Sequence, residues 1–534
     1  MELRPYQQEA VEAIEKKWAE GWKRLLLVLP TGCGKTIVFS RIAADMVRKK
    51  ERVLILAHRG ELLEQAADKL EKSTGLKCAV EKAEQSCKGT FFRVVVGSVQ
   101  TLMGEKRLHS FAREYFSTII VDEAHHCVSN SYQKVLSYFA DAKVLGVTAT
   151  ADRGDKKELG SYFEDLAYEY SMAKAIQQKY LCPIKAQMIP LKLDISNVSM
   201  QNGDFRASEI GSALDPYLEQ IAEHMKVYCR GRKTVVFLPL IATSQKFRGI
   251  LEEKGMRAAE VNGESQDRGE VLEDFDKGKY DVLCNSMLLT EGWDCPSVDC
   301  ICVLRPTRVR GLYQQMVGRG TRLSPDTGKK DLLILDFLWH TERHELCRPS
   351  ALVCTSEETA ARMDRDLAEA GGAVDISEAE EMAENEVQAD REAALAKKLE
   401  ALKHRKKKLV DPLQFEMSIQ AADLAEYMPA FAWQAEAPTQ KQKEILESRG
   451  IDPDEIGDRG KATLIIDRLF ARQAAGLSTP KQIRFLESKG FLKVGSWTFE
   501  DAKKMIDRIA ANRWMVPWEI VPTEYVPGRI EREA

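Results

Sequence analysis

Along residues 1–345, short apolar runs alternate with stretches of helical periodicity. The runs fall at residues 25–29, 53–57, 94–96, 119–121 and 144–147. A second series falls at residues 235–238, 258–261, 282–284, 301–304 and 332–335. Continuous β-branched runs of this kind suit strands buried on both faces, which means parallel sheets flanked by helices. Two series predict an α/β fold of two lobes, at residues 1–175 and 176–345. The pattern lapses between them, near residues 170–183.

The pattern then changes. Residues 346–430 read as a charged helical connector. Within it, residues 357–400 hold 14 Asp/Glu against 5 Lys/Arg, with many Ala and no Pro. A basic run, Lys403-His-Arg-Lys-Lys-Lys408, follows. It suits the cationic end of a charged helix or a contact with nucleic acid. Residues 431–515 contain an internal repeat with an offset of 40: Thr439-Gln-Lys-Gln-Lys-Glu-Ile-Leu-Glu-Ser-Arg-Gly450 aligns with Thr479-Pro-Lys-Gln-Ile-Arg-Phe-Leu-Glu-Ser-Lys-Gly490. Each unit opens on a Thr N-cap and closes its first helix on a Gly C-cap. Two helical hairpins that bury their apolar faces on each other are expected. A tail, residues 516–534, completes the chain.

Composition narrows the classes. The 534 residues suit about three to five domains. With 44% hydrophobic and 30% charged residues, wholesale disorder and a fibre are excluded. The formal charge of −4 excludes a uniformly basic protein that coats nucleic acid by bulk charge. Because the acidic connector outweighs that total, the rest of the chain is mildly basic, leaving room for a local phosphate track. The charged N-terminus has no apolar core of signal-peptide length, and no stretch of about 18 apolar residues exists, so no membrane contact is expected. The 12 cysteines form no C-x-x-C pair. Reduced, buried thiols in a cytoplasmic protein are expected, and no zinc.

Two motifs carry chemistry. Leu29-Pro-Thr-Gly-Cys-Gly-Lys-Thr36 follows the first strand run and opens a helix. It matches the phosphate-loop pattern, except that Leu29 stands where the first Gly belongs. Gly32 and Gly34 let backbone N–H groups curl round phosphate oxygens at a helix N-terminus, with Thr31 and Cys33 between and before them. Lys35 can reach the β/γ-phosphates of ATP, and the Thr36 hydroxyl can ligate Mg²⁺. About 85 residues on, the run at 119–121 ends in Asp122-Glu123-Ala-His-His126. Asp122 can hold the Mg²⁺ shell and Glu123 can orient and deprotonate the attacking water. Arg319 and Arg322, one helical turn apart, can supply bidentate cationic donors from the second lobe.

These residues resemble the motif set of superfamily 2 helicases. Asp122-Glu-Ala-His125 resembles motif II in its D-E-A-H form. Leu3-Arg-Pro-Tyr-Gln7 resembles the adenine-recognition motif, which implies nucleotide contacts for Arg4 and Gln7. Ala57-His-Arg-Gly-Glu-Leu62 resembles motif Ia, and Gly97-Ser-Val-Gln-Thr101 the nucleic-acid-contacting motif that follows it. Thr148-Ala-Thr150 resembles motif III, which couples hydrolysis to movement; His125 shares that role. Val235-Val-Phe237 resembles motif IV, Leu289-Thr-Glu-Gly-Trp-Asp294 motif V, and Gln315-Met-Val-Gly-Arg-Gly-Thr-Arg322 motif VI. The resemblance covers about residues 1–340 and implies two RecA-like lobes in tandem. It implies catalytic roles for Lys35, Asp122, Glu123, Gln315, Arg319 and Arg322. Gly292 and Asp294 join the nucleotide site. Nucleic acid would touch His58, Arg59, Ser98, Gln100 and Thr101 in the first lobe, and Asn262 and Thr290 in the second, mainly through phosphates.

Three details favour DNA over RNA. Motif III is Thr-Ala-Thr, motif VI reads Gln-x-x-Gly-Arg-Gly-x-Arg, and the context Thr290-Glu-Gly-Trp-Asp-Cys-Pro296 is similar to the RadD-like and XPB-like DNA helicases of bacteria and phages. The sequence departs from the RadD pattern after about residue 345. The resulting expectation is an ATP-dependent DNA helicase or translocase of repair, recombination, replication or phage biology. Two alternatives stand beside it: the motor subunit of a restriction or defence assembly whose protein partner docks on the C-terminal repeats, and an RNA helicase. The repeats also read as a DNA-binding module, with Lys481, Arg484, Lys489, Lys503, Lys504 and Arg508 on one unit.

Overall fold

The computed structural model describes residues 3–57, 60–83, 85–149, 159–201, 204–286, 289, 293–340, 346–402, 409–425 and 427–527. The chain forms two compact units, Met1–Ala383 and Glu384–Ala534.

The first unit holds two seven-stranded sheets. The strands of the first are β1 (Arg24–Val28), β2 (Val53–Ala57), β3 (Ala79–Glu81), β4 (Val94–Ser98), β5 (Thr118–Asp122), β6 (Lys143–Thr148) and β7 (Asp165–Glu169). All pair in parallel, in the order β3-β4-β2-β5-β6-β1-β7. The second sheet contains β8 (Ile184–Asp194), β11 (Thr234–Phe237), β12 (Ala258–Val261), β13 (Val282–Asn285), β14 (Cys300–Val303), β15 (Leu332–His340) and β16 (Val374–Asp375). Its order is β12-β13-β11-β14-β15-β8-β16, and only β16 runs antiparallel. A small ribbon, β9 (Met200–Gln201) with β10 (Asp204–Phe205), stands apart.

Every apolar run read from the sequence is a strand, and the central ones are buried along their whole length. Helices cover both faces, as parallel strands require. The lapse near 170–183 is the crossing between lobes: β7 ends the first sheet and β8 opens the second. Neither strand shows as an apolar run. β7 is a polar edge strand, and β8 carries Lys185, Gln187 and Pro190 within it.

Residues 346–383, expected to be part of a connector, pack on the second lobe instead. The helix Glu357–Glu369 buries Thr359, Met363 and Leu367, spaced four apart on one face. β16 then adds to the edge of β8, pairing Val374 with Ala186. The acidic count concealed this stripe, because its charges occupy the other faces. The basic run 403–408 lies outside the described residues.

The second unit is helical. The repeat forms the helices Gln440–Ser448 and Arg459–Ala474, then Pro480–Ser488 and Phe499–Ala511. Thr439 and Thr479 cap equivalent helices with complete capping boxes through Gln442 and Gln482. Gly450 and Gly490 follow with φ of 91° and 93°, the left-handed turn that glycine allows freely. Leu446, Ile465 and Leu469 of one pair share a core with Leu486, Met505 and Ile509 of the other. That core also takes in Phe415 and Leu424 before residue 431 and Tyr525 after residue 515.

Candidate active site

The phosphate loop joins β1 to the helix Lys35–Arg48. Gly32 and Gly34 have φ of 91° and 77°. The left-handed backbone favours glycine at Gly34, and a Cβ there would stand 2.6 Å from Gln7 Nε2 and displace that amide. Behind the loop, the Leu29 N–H donates to the Thr148 carbonyl at 3.0 Å. The end of β6 therefore supports the start of the loop.

The N-terminal helix Pro5–Ala19 closes one side. Gln7 is buried and donates through Nε2 to the Cys33 carbonyl at 3.1 Å; the Tyr6 hydroxyl donates to the same oxygen at 2.8 Å. Burial pushes the Cys33 thiol up to about 11. Tyr6 stacks on Tyr170 at 4.4 Å between centroids, and the Arg4 guanidinium lies 5.3 Å from the Tyr180 ring centre. Tyr170 and Tyr180 carried no signal in the sequence, because they lie where the strand pattern lapses.

β5 ends at Asp122, and Glu123 adopts a left-handed φ of 53°, rare for a residue with a side chain. That turn brings Glu123 Oε1 to 3.9 Å from Lys35 Nζ. His125 Nδ1 stands 3.6 Å from Glu123 Oε2. Burial raises both carboxyls. For Asp122, neighbouring Glu123 adds to that effect, and its carboxyl is pushed up to about 6. For Glu123, the positive fields of Lys35, His125 and Arg319 outweigh burial and hold it below its usual range.

Motif VI reaches this loop from the second lobe. Gln315 is buried on the helix Arg310–Gly318, and Arg319 caps that helix. Arg319 Nη1 donates to the Trp293 carbonyl at 2.7 Å. Arg322 forms an ion pair with Asp294. Its Cγ lies 3.5 Å from where a Cβ on Gly32 would stand. Gly318 packs directly on Thr31: a Cβ there would be 2.6 Å from Thr31 Cβ. The Thr321 hydroxyl reaches the Thr31 carbonyl at 3.5 Å, and its own carbonyl accepts the Cys182 N–H at 2.9 Å. Lys69 was not foreseen. The cations Arg322, Arg319 and Lys35 act on this exposed lysine, with Asp122 opposing them, so it adds to a concentration of positive charge. A lysine on an amphipathic helix gives no such sign in sequence.

Among the described residues, the nucleic-acid candidates Ser98, Gln100, Thr101 and Asn262 do not join this cluster. Ser98 ends β4, and its hydroxyl donates to Gln100 Oε1 at 2.9 Å. Thr101 accepts the Ala83 N–H at 3.0 Å. Asn262 holds a turn, accepting the Glu264 N–H at 2.7 Å while its amide donates to Glu260. His58, Arg59, Thr150, Thr290 and Gly292 lie outside the described residues. Thr36 sits in the first turn of the phosphate-loop helix. Its hydroxyl and the Asp122 carboxylate are hard oxygen donors of the kind Mg²⁺ takes.

Two parallel-sheet lobes, with a glycine-rich strand-to-helix loop in one and an arginine pair beside it from the other, define a two-lobe fold of the P-loop class. Residues 1–153 match the family described as type III restriction enzyme, res subunit, and residues 218–324 match the helicase conserved C-terminal domain. The core of the chain is that of a superfamily 2 helicase. It is 33% identical over 379 residues to the Saccharomyces cerevisiae protein IRC3, covering 67% of this chain and 54% of that one. It is 25% identical over 367 residues to the DNA 3'-5' translocase XPB2 of Sulfurisphaera tokodaii, covering 60% of this chain and 78% of that one. A fragment of an HsdR subunit of a type I restriction enzyme from Vibrio vulnificus superposes with a TM-score of 0.51 at 25% identity, covering 63% of this chain and 64% of that one. The chain spans just over half the length of the yeast relatives it matches.

Proposed function

We propose that the protein is an ATP-dependent DNA translocase or helicase of the D-E-A-H kind, acting in repair, recombination, replication or phage biology. The observation that carries this reading is the approach of Arg319 and Arg322 from one lobe to the loop, Lys35 and Glu123 of the other. The DNA-acting relative XPB2 and the restriction-enzyme subunit favour DNA over RNA.

The roles follow from charge and reach. The loop N–H groups at Gly32 to Lys35 face the phosphates, and Lys35 neutralises the β/γ oxygens. Thr36 and Asp122 would hold Mg²⁺, which supplies further neutralisation of the phosphates. Glu123, kept ionised by its cationic neighbours, orients the attacking water and accepts its proton. Arg319 and Arg322 complement the charge that develops on the transferred phosphoryl group. Because these arginines belong to the other lobe, binding and release of nucleotide change how the lobes meet. DNA held across both lobes is moved by that change. Arg4 and Gln7 recognise the base beside the Tyr6–Tyr170 stack.

The test is ATP turnover with single-stranded DNA, forked DNA or RNA. Stimulation by DNA that RNA does not match is expected. Turnover indifferent to DNA would falsify the reading, and equal or greater stimulation by RNA would make it an RNA motor.

A second reading, the motor subunit of a restriction or defence assembly, is favoured by the HsdR likeness together with the separate helical unit. It expects the full-length protein to recover a protein partner that a chain lacking residues 409–534 does not. Recovery of no partner, or equal recovery by both chains, counts against it.

A further inference from the structure

The helix that carries motif VI is gripped by a part of the chain beyond the matched helicase segments. Arg310 and Gln314, one turn apart, face the short turn Pro349–Leu352. Arg310 Nε donates to the Ala351 carbonyl at 2.6 Å and Nη2 to the Cys354 carbonyl at 3.0 Å. Gln314 Nε2 donates to the same Ala351 carbonyl at 3.1 Å. On an adjoining face, the Tyr313 hydroxyl donates to Asp336 Oδ2 at 3.2 Å. Tyr313 is 1% exposed and Asp336 5% exposed. Asp336 lies on β15, the strand against which residues 184–194 pair. Two bonded turns and one buried hydroxyl resist both sliding and rolling of the helix.

The gripping segment is itself fastened. Cys354 Sγ meets Met363 Sδ at 3.5 Å, and Met363 and Leu367 are buried in the lobe. β16 then locks to the sheet edge. Arg348 and Asp364 both act on the Asp336 carboxyl, and Ser350 hydrogen-bonds Asp364. The segment thus runs from the motif VI helix to β16, which pairs with β8.

We propose that residues 346–383 form a strap that sets the pitch of the motif VI helix, and that Asp336, acting through Tyr313, is a positioning residue for Arg319 and Arg322. This rests on the reading that those arginines act on the phosphoryl group. The arginines sit at and beyond the C-terminal end of the helix, so a small roll of its axis moves their tips by more. Rate is sensitive to displacements of about 1 Å in such groups. The bonds to Ala351, Cys354 and Asp336 oppose that roll from two sides.

The experiment uses the full-length protein with Tyr313→Phe, Asp336→Ala, Asp336→Asn and the Tyr313→Phe/Asp336→Ala pair. It reads kcat and KM for ATP, affinity for ADP alone, affinity for ADP with aluminium fluoride, and thermal melting. Tyr313→Phe and Asp336→Ala are expected to lower kcat about tenfold or more, the order of effect that misplacement of a reacting group produces. KM and ADP affinity stay within about twofold, while the aluminium fluoride complex weakens in step with kcat, since only it calls on the arginines as the transition state does. Asp336→Asn retains most activity, because its amide oxygen still accepts the Tyr313 proton. The paired substitution costs no more than either single one, since both break the same bond. The strap is overturned if folded Tyr313→Phe and Asp336→Ala proteins keep kcat within about twofold, or if ADP and its aluminium fluoride complex weaken alike in them, which marks a purely structural role. Should Asp336→Ala fail to fold, Tyr313→Phe, which removes a single hydroxyl, decides. A wild-type chain without ATPase activity overturns the reading of the site and the strap with it; wild-type turnover with indifferent variants overturns the strap alone.

Discussion

Gly318→Ala separates the stability of one lobe from the fit between two. Gly318 is the last residue of the helix Arg310–Gly318. Alanine favours a helix interior over glycine by about 1 kcal/mol, so the second lobe taken alone gains at most about that much. The new methyl, however, would stand 2.6 Å from Thr31 Cβ, 2.9 Å from its Cγ2 and 3.1 Å from its Oγ1. Carbon atoms in contact prefer about 3.5–4.0 Å, so one lobe must withdraw. Overpacking of this kind costs about 1–3 kcal/mol. The cost falls only on the state in which the lobes meet, because the helix gain is present whether they meet or not. At about 1.4 kcal/mol per tenfold, ATP turnover should drop about 5- to 150-fold. Melting should stay within a few degrees of wild type. The assay is steady-state ATP turnover with saturating nucleic acid, beside a thermal melt of the same preparation. Turnover within about twofold of wild type in a folded Gly318→Ala protein would refute the claim that motif VI must seat on the phosphate loop.

Three further outcomes are expected. Gly34→Ala forces a methyl into a left-handed position 2.6 Å from Gln7 Nε2, so KM for ATP should rise at least about tenfold, read by steady-state kinetics. Thr479→Ala removes the acceptor of the Gln482 N–H, bonded at 3.3 Å, and should lower the stability of the helical unit by about 1 kcal/mol in a denaturant titration. Burial, opposed by Arg348 and the Tyr313 hydroxyl and aided by Asp364, raises Asp336 from 3.8 to about 7. The folded state therefore binds this proton more tightly than the unfolded chain, and the stability it contributes is present below about pH 4 and lost as pH rises to about 7. Asp336→Asn should remove that loss, so its melting advantage over wild type should grow between pH 5 and pH 8; a constant difference counts against it.

The parts of the site that are local in sequence were legible. A phosphate loop needs its glycines, lysine and following helix in one short segment, and Glu123 follows directly on the run that becomes β5. The central strands were legible too, since burial on both faces requires continuous apolar runs. What one face or one partner decides was not. β7 and β8 lie at or near sheet edges, where Asp165, Lys185 and Gln187 break the run. Met363 and Leu367 were hidden in an acidic count, because only their spacing marks the buried face. The closeness of Gly318 to Thr31, of Tyr170 to Tyr6 and of Lys69 to the arginines depends on folding distant segments together, and no local pattern records it. Asn262 has the sequence position of a nucleic-acid contact, and its side chain also holds the turn at Glu264, which no local pattern foretold.

The most direct measurement compares ATP turnover with and without single-stranded DNA in wild type, Lys35→Ala and Arg322→Ala, each shown to be folded by melting. The wild type should be stimulated about tenfold or more, and both variants should stay at background with DNA present, because one site is completed by residues of two lobes. Stimulated turnover surviving in either variant, or a wild type that DNA leaves unchanged, would contradict it.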